Sequence, residues 1–302
     1  MKIRNGPDGI HFFDRNSGTN LLLNEVVLPP EIWSRSPRQV SIALTNACDL
    51  DCLHCYAPKT KARLEGQLVK RWMSELDEQG CFGVGFGGGE PTLHPELVDI
   101  CNYGQSETGL AITITTHGHH LSNDLLSQLA GSVNFIRISM DGVDSTYESI
   151  RNRSFNHLLA VLKKLDSLVP FGINYVVNHR TIDDLDKAIL VAESLKAKDF
   201  LLLPEEPFGR GVEIDSGSLK RLKEWVDLYK GNLRLSVSSS YAAEFPSALP
   251  LEKEPEEMAF SHIDAAGVLK RSSYESGGCK IDSRGVITAY RLLNRDTARG
   301  LL

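Results

Sequence analysis

Six short apolar runs alternate with six helical patterns along this chain, and few architectures accept that order. The runs cover residues 40–44, 82–86, 111–115, 135–139, 173–177 and 200–203, and their Val, Ile, Phe and Thr content suits strands. The stretches at about 66–79, 95–107, 122–130, 144–168, 181–197 and 217–230 carry apolar residues at helical spacing. Repeated strand–helix alternation predicts parallel strands joined by right-handed crossovers. Six units predict an α/β fold, a partial (β/α)6 TIM-like barrel over residues 39–231, open rather than closed. Chemistry in such barrels sits on loops after the C-terminal ends of strands. Every polar, glycine-rich cluster obeys that rule. Cys48, Cys52 and Cys55 follow the first run and Gly87 to Glu90 the second; Thr116 and His117 follow the third, Ser139 to Gly142 the fourth, Asn178 the fifth, and Pro204 to Glu206 the sixth.

The flanks differ in character. Residues 1–38 read as a β-hairpin and a linker: apolar runs at 9–13 and 21–23 flank the turn signal Asn16, Ser17, Gly18, and Pro29, Pro30 and Pro37 follow. Residues 232–302 contain an internal repeat, with Ile263, Asp264, Gly267 and Val268 matched by Ile281, Asp282, Gly285 and Val286. An Asp opening a turn and a Gly supplying positive φ predict two successive hairpins, a small C-terminal β appendage.

The chain has 302 residues, 41% hydrophobic and 24% charged, with a net charge of −6. That balance is ordinary for a globular protein and predicts no nucleic-acid partner. No apolar stretch reaches membrane-spanning length and no signal-peptide core opens the chain, so a cytoplasmic protein without a membrane partner is expected. Three of the six cysteines lie within eight residues, which suits a reducing compartment better than a disulfide framework.

Those three, Cys48, Cys52 and Cys55, have the spacing C-x3-C-x2-C. Three thiolates so close can converge on one soft metal centre, iron–sulfur or zinc. Zinc motifs usually bring a second cysteine pair, and none exists here. A [4Fe–4S] cube held by three cysteines leaves one iron open for a ligand. This arrangement resembles the radical S-adenosylmethionine (SAM) superfamily, in which SAM chelates the open iron. Gly88, Gly89 and Glu90 resemble that family's Gly-Gly-Glu element, which binds the SAM amino group. Glycines permit close backbone approach, and a carboxylate suits an ammonium. By the same resemblance Ser139 and an arginine, Arg151 before Arg153, would hold the SAM carboxylate, as bidentate guanidinium pairing allows. Thr116 and His117 fall where the family has a ribose-contacting turn, His117 departing from its pattern. Asn178 is a further candidate for the ribose or adenine. No second metal is expected at His117, His119 and His120. His54 and Tyr56 flank the last cysteine, where family members often carry a shielding aromatic.

The tail resembles the SPASM/twitch hairpins of the peptide-maturing branch but lacks their auxiliary-cluster cysteines, since only Cys279 stands there. A degenerate, cluster-free appendage over the barrel mouth follows. Cys279 is then either a hydrogen-atom donor to a substrate radical or a buried structural thiol. The resemblance implies one [4Fe–4S] cluster, SAM, a flavodoxin or ferredoxin reductant, and cleavage of SAM to a radical that abstracts a substrate hydrogen atom. Peptide modification is the leading expectation, although 38 residues are too few for a complete winged-helix leader-recognition domain. An epimerase or dehydrogenase acting on a sugar or aminocyclitol is the alternative, and a non-enzymatic zinc or redox regulator a second one.

Overall fold

A computed structural model describes residues 1–165, 167–246 and 251–295. The end of the helical pattern at 144–168 and parts of the tail therefore fall partly outside the described residues. The chain opens with three antiparallel strands, β1 (Lys2–Gly6), β2 (Gly9–Phe13) and β3 (Asn20–Leu23), which form their own sheet in that order. The hairpin expected at residues 9–23 is present as β2–β3, and β1 adds a strand to it.

The barrel portion then runs β4 (Gln39–Thr45), α1 (Gly66–Glu78), β5 (Gly83–Gly88), α2 (Leu97–Glu107), β6 (Ala111–Thr116), α3 (Asn123–Leu129) and β7 (Phe135–Ser139). It continues α4 (Asp144–Arg151), α5 (Phe155–Leu165), β8 (Phe171–Val177), α6 (Leu185–Ser194), β9 (Asp199–Pro204) and α7 (Ser216–Leu228). After α7 come β10 (Arg234–Val237), the short α8 (Glu256–Ala259), β11 (Phe260–Ile263), β12 (Val268–Lys270), β13 (Cys279–Lys280) and α9 (Val286–Leu293). One sheet takes the order β10-β9-β8-β7-β6-β5-β4-β11-β12-β13. All six expected strands lie in it side by side and parallel. The tail lengthens the parallel part at both edges, because β10 pairs parallel with β9 and β11 pairs parallel with β4.

Period-two alternation explains why the interior is hollow. Val40, Ile42, Val84, Phe86, Ile112, Ile114, Ile136 and Ile138 are all at most 1% exposed and belong to the apolar core. Their alternating neighbours Ser41, Gly85, Thr113 and Ser139 face the barrel interior and are small or polar, so they leave room. The helices cover the outside with stripes of helical period, as Val69, Trp72, Met73 and Leu76 do on α1.

Two local features depart from the sequence expectation, and one repeat copy meets it. The pattern at 144–168 is broken into α4 and α5, because Asn152 adopts the left-handed conformation (φ 51°) and ends α4. The first repeat copy is the β11–β12 hairpin, where the Asp264 carboxylate accepts from Ala266 N and Val268 N at 2.9 and 3.0 Å. The second copy is a turn into α9 rather than a hairpin. Gly285 has φ 91°, and Val286 N donates to the Glu75 carboxylate of α1 at 2.7 Å instead of to Asp282. Arg4, 2% exposed, ties the N-terminal sheet to the linker before β4 and to the tail around α8. It donates to Ser36 O and Met258 O, each at 2.9 Å, and pairs with Glu254. Among the described residues no helix is long and apolar enough to cross a membrane.

Candidate active site

The loop after β4 carries the three cysteines, and its ends are stitched shut: Asn46 N donates to Ala62 O and Leu64 N to Leu44 O, both at 2.9 Å. Inside it, Cys55 N donates to Cys52 O at 3.3 Å. The loop after β5 lies directly against this one. Gly89 N donates to Thr45 O at 2.7 Å and Glu90 N to Ala47 O at 2.8 Å. A Cβ on Gly88 (φ 116°) would sit 2.2 Å from Thr45 O, and one on Gly89 2.3 Å from Ala47 O. Only glycine allows two backbones this close.

Glu90, 1% exposed, is fixed from several sides. One oxygen accepts from Thr92 Oγ1 at 2.6 Å and Thr116 Oγ1 at 2.7 Å; the other accepts from His117 N at 3.0 Å. His119 N donates to His117 Nδ1, so the neutral imidazole carries its proton on Nε2. That atom lies 3.0 Å from Asp49 Oδ1 and 3.2 Å from Glu90 Oε2. Burial lowers the His117 pKa, against the pull of the two carboxylates. His120 lies against Asp49, and His119 against Tyr147 and His157. One Asp49 oxygen, the Cys48 thiol and a His117 nitrogen lie within 4.8 Å of one another.

A second constellation comes from the ends of β7 and α4. Asp141, fully buried, accepts from Val176 N at 2.8 Å and pairs with His54 at 3.0 Å and with Arg151. Burial opposes the Asp141 charge, but Arg151 and His54 more than offset it and hold the pKa well below the usual range. Arg151 Nη1 lies 3.5 Å from Cys52 Sγ, and its buried Nε has no hydrogen-bond partner. An arginine with an unmet donor against a cysteine sulfur suits an additional anionic group at this point. Burial raises the Cys48 and Cys52 pKa values, so both favour the thiol until a metal takes the proton's place.

One cavity of about 400 Å³ joins these groups. Cys48, Cys52, Cys55, Gly88, Gly89 and Glu90 line it, as do Thr116, His117, Ser139 and Arg151. Two sequence candidates lie elsewhere. Asn178 borders a neighbouring cavity of about 230 Å³, its amide donating to Glu205 at 2.7 Å. Cys279 is paired to Leu269 at the sheet edge and packs against the apolar core, outside the described lining of the cavity. The tail's contribution to the wall is Phe260, His262, Ser273 and Tyr274. Sequence reasoning assigned no role to Asp141. Its only signal was its place within Ser139 to Gly142, after the fourth strand.

The architecture is an open parallel α/β barrel whose candidate site lies beyond the C-terminal ends of its strands. The Radical SAM superfamily profile matches residues 42–192, and the chain belongs to that superfamily. Its relatives include the AdoMet-dependent heme synthase of Methanosarcina barkeri, 30% identical over 70% of this chain and 64% of that protein. They also include the mycofactocin maturase MftC of Mycolicibacterium smegmatis, 27% identical over 66% of this chain and 53% of that protein. The chain thus spans between about half and just under two-thirds of these relatives' lengths. In fold it is similar to Streptococcus suis SuiB bound to S-adenosylmethionine, with a TM-score of 0.73 at 15% identity over 90% of this chain and 81% of that one. Members of the superfamily use a [4Fe–4S] cluster and SAM. The residues present fit both groups: three cysteines and the Gly88–Glu90 loop line one cavity, and Arg151, also in its wall, keeps an unmet donor.

Two outcomes follow. Gly89→Ala should force the glycine loop off Ala47 and weaken SAM binding about tenfold or more with the fold retained, as calorimetry and circular dichroism would show. His262 bonds Ser41 Oγ through Nδ1 at 2.6 Å, and burial lowers its pKa from 6.5 to about 4. Its folded form therefore resists protonation while the unfolded chain accepts it. Relative to His262→Gln, the wild type should keep its full stability above about pH 6.5 and lose up to about 3 kcal/mol as the pH falls to about 4, measured by denaturant titration across that range.

Proposed function

We propose that this chain is a radical SAM enzyme that modifies a peptide. Cys48, Cys52 and Cys55 would hold the [4Fe–4S] cluster. Gly88, Gly89 and Glu90 would cradle the amino end of SAM, and Ser139 and Arg151 its carboxylate. Thr116, His117 and Asn178 are assigned to its nucleoside end, Asn178 from the neighbouring cavity. When bound, the two cofactors supply an electron and a carbon radical able to remove an unactivated hydrogen atom. The protein's work is then to bind, orient and exclude water. Asp141 keeps Arg151 charged and aimed. The bonds from Thr92, Thr116 and His117 keep Glu90 from rotating. Residues 39–231 carry this machinery and residues 232–302 complete the wall, while a flavodoxin or ferredoxin supplies the electron.

The observation that carries the peptide reading is the wall of the cavity beyond the cofactor groups. Glu206 presents a buried carboxylate oxygen with no partner and Tyr274 adds an aromatic face, while the Arg137 guanidinium on the same wall is already paired with Asp199. An unmet acceptor and a ring match a peptide's N–H groups and apolar side chains. The maturase MftC and the PqqA peptide cyclase of Bradyrhizobium diazoefficiens, 30% identical over 53% of this chain, support the same class. A carboxylated small molecule is the second reading, favoured by the heme synthase relative.

The test is 5′-deoxyadenosine formation by reconstituted protein with dithionite and SAM. A short peptide encoded beside this gene should accelerate it, and Cys52→Ala should abolish it. Acceleration by iron-porphyrin carboxylates alone would replace the peptide reading with the second. Absence of 5′-deoxyadenosine under every condition would overturn the radical function.

A further inference from the structure

The cysteine loop has little regular structure of its own, yet cluster ligands need fixed positions. Much of its support comes from one distant residue. Arg210 follows β9, about 160 residues along the chain from the loop it touches. Its backbone N–H donates to Cys55 O at 3.0 Å. Its Nη1 lies within hydrogen-bond reach of Asp51 O at 3.2 Å and Cys52 O at 3.4 Å, and its Nη2 pairs with the Asp51 carboxylate at 2.5 Å. A single side chain thus reaches two carbonyls and one carboxylate of the motif, while its backbone takes a third carbonyl.

The segment that carries Arg210 is shaped to deliver it. Gly209 has φ 65°, and a Cβ there would meet Cys55 O and the Tyr56 Cα at 2.7 Å. Glu205 braces the segment from within, accepting from Val212 N at 2.9 Å and from the Asn178 amide. At the cavity mouth Phe208 meets the ring of Tyr274 at 6.1 Å, and Tyr274 meets Tyr56 of the cysteine loop at 5.4 Å. The cysteine loop, the β9–α7 segment and the tail are therefore joined at one place, and Glu205 and Glu206 of that segment also line the cavity.

We propose that Arg210 is a positioning residue for the cluster: a clasp that fixes the carbonyls of Asp51, Cys52 and Cys55 and ties the cysteine loop to the substrate-facing wall. The proposal rests on the radical SAM reading for its purpose but not for its geometry. Arg210 is half-exposed, with 42% of its side chain accessible, so its replacement leaves the core intact.

The experiment compares full-length wild type, Arg210→Ala and Arg210→Lys. In the metal-free proteins, amide hydrogen exchange over residues 51–57 should quicken about five- to tenfold in Arg210→Ala, the factor expected for loss of one net hydrogen bond. The global unfolding midpoint should stay near that of the wild type. After anaerobic reconstitution, the electron paramagnetic resonance spectrum of the reduced cluster should change in Arg210→Ala. Arg210→Lys should restore part of both signals, because it keeps the charge toward Asp51 but loses the planar fork. Unchanged exchange and an unchanged spectrum in Arg210→Ala would overturn the clasp. So would unfolding of both variants, which would make Arg210 a general structural residue. A wild type that takes up no iron would sink the radical reading, and the exchange measurement would still decide the clasp.

Discussion

Everything at the rim depends on two backbones that touch. The chain after β5 approaches the chain after β4 closely enough for Gly89 N to bond Thr45 O and Glu90 N to bond Ala47 O. No side chain fits between them. That contact sets the cysteine loop and the glycine loop as one unit, so the groups assigned to the cluster and those assigned to SAM share a coordinate frame. Glu90 then acts as the pin. Its buried carboxylate collects Thr92, Thr116 and His117, and so fixes the loop after β6 to the loop after β5.

A second, electrostatic unit balances the first across the cavity. Asp141 and Arg151 are largely buried, and a buried pair is tolerable only when its remaining hydrogen-bonding atoms find partners. Asp141 has them in Val176 N and His54, whereas the Nε of Arg151 does not. Nη1 of the same guanidinium lies against Cys52 Sγ, so the group that lacks a partner belongs to a side chain lining the cavity, where an anionic ligand could supply one. Loop closeness and a waiting cation are different physical devices, yet they converge on the same 400 Å³ of space.

Much of this was legible in the sequence because it rests on period and spacing. Six apolar runs became six parallel neighbours, and candidate residues after five of them line one cavity, as the strand rule requires. What was not legible depends on partners distant in the chain. The two repeat copies share Ile, Asp, Gly and Val, but Glu75 of α1 captures Val286 N and turns the second into a helix start. β10 and β11 are short and fall outside the six apolar runs; each extends an open parallel edge, β10 beside β9 after the α7 crossover and β11 beside β4. The split between α4 and α5 follows from one residue, Asn152, that tolerates a left-handed backbone. Asn178 sits after its strand as expected, yet Glu205 draws its amide toward the neighbouring cavity. Cys279, which the sequence left open between a hydrogen-atom donor and a structural thiol, pairs with Leu269 and packs, partly buried, against the core.

The chemistry proposed for this rim requires that Cys48, Cys52 and Cys55 together hold one iron–sulfur cube beside the glycine loop. Iron and acid-labile sulfide per chain after anaerobic reconstitution test it most directly. About four of each, falling to near zero when Cys48, Cys52 and Cys55 are replaced by alanine, is the result this account predicts. Stoichiometric zinc with no labile sulfide would contradict it.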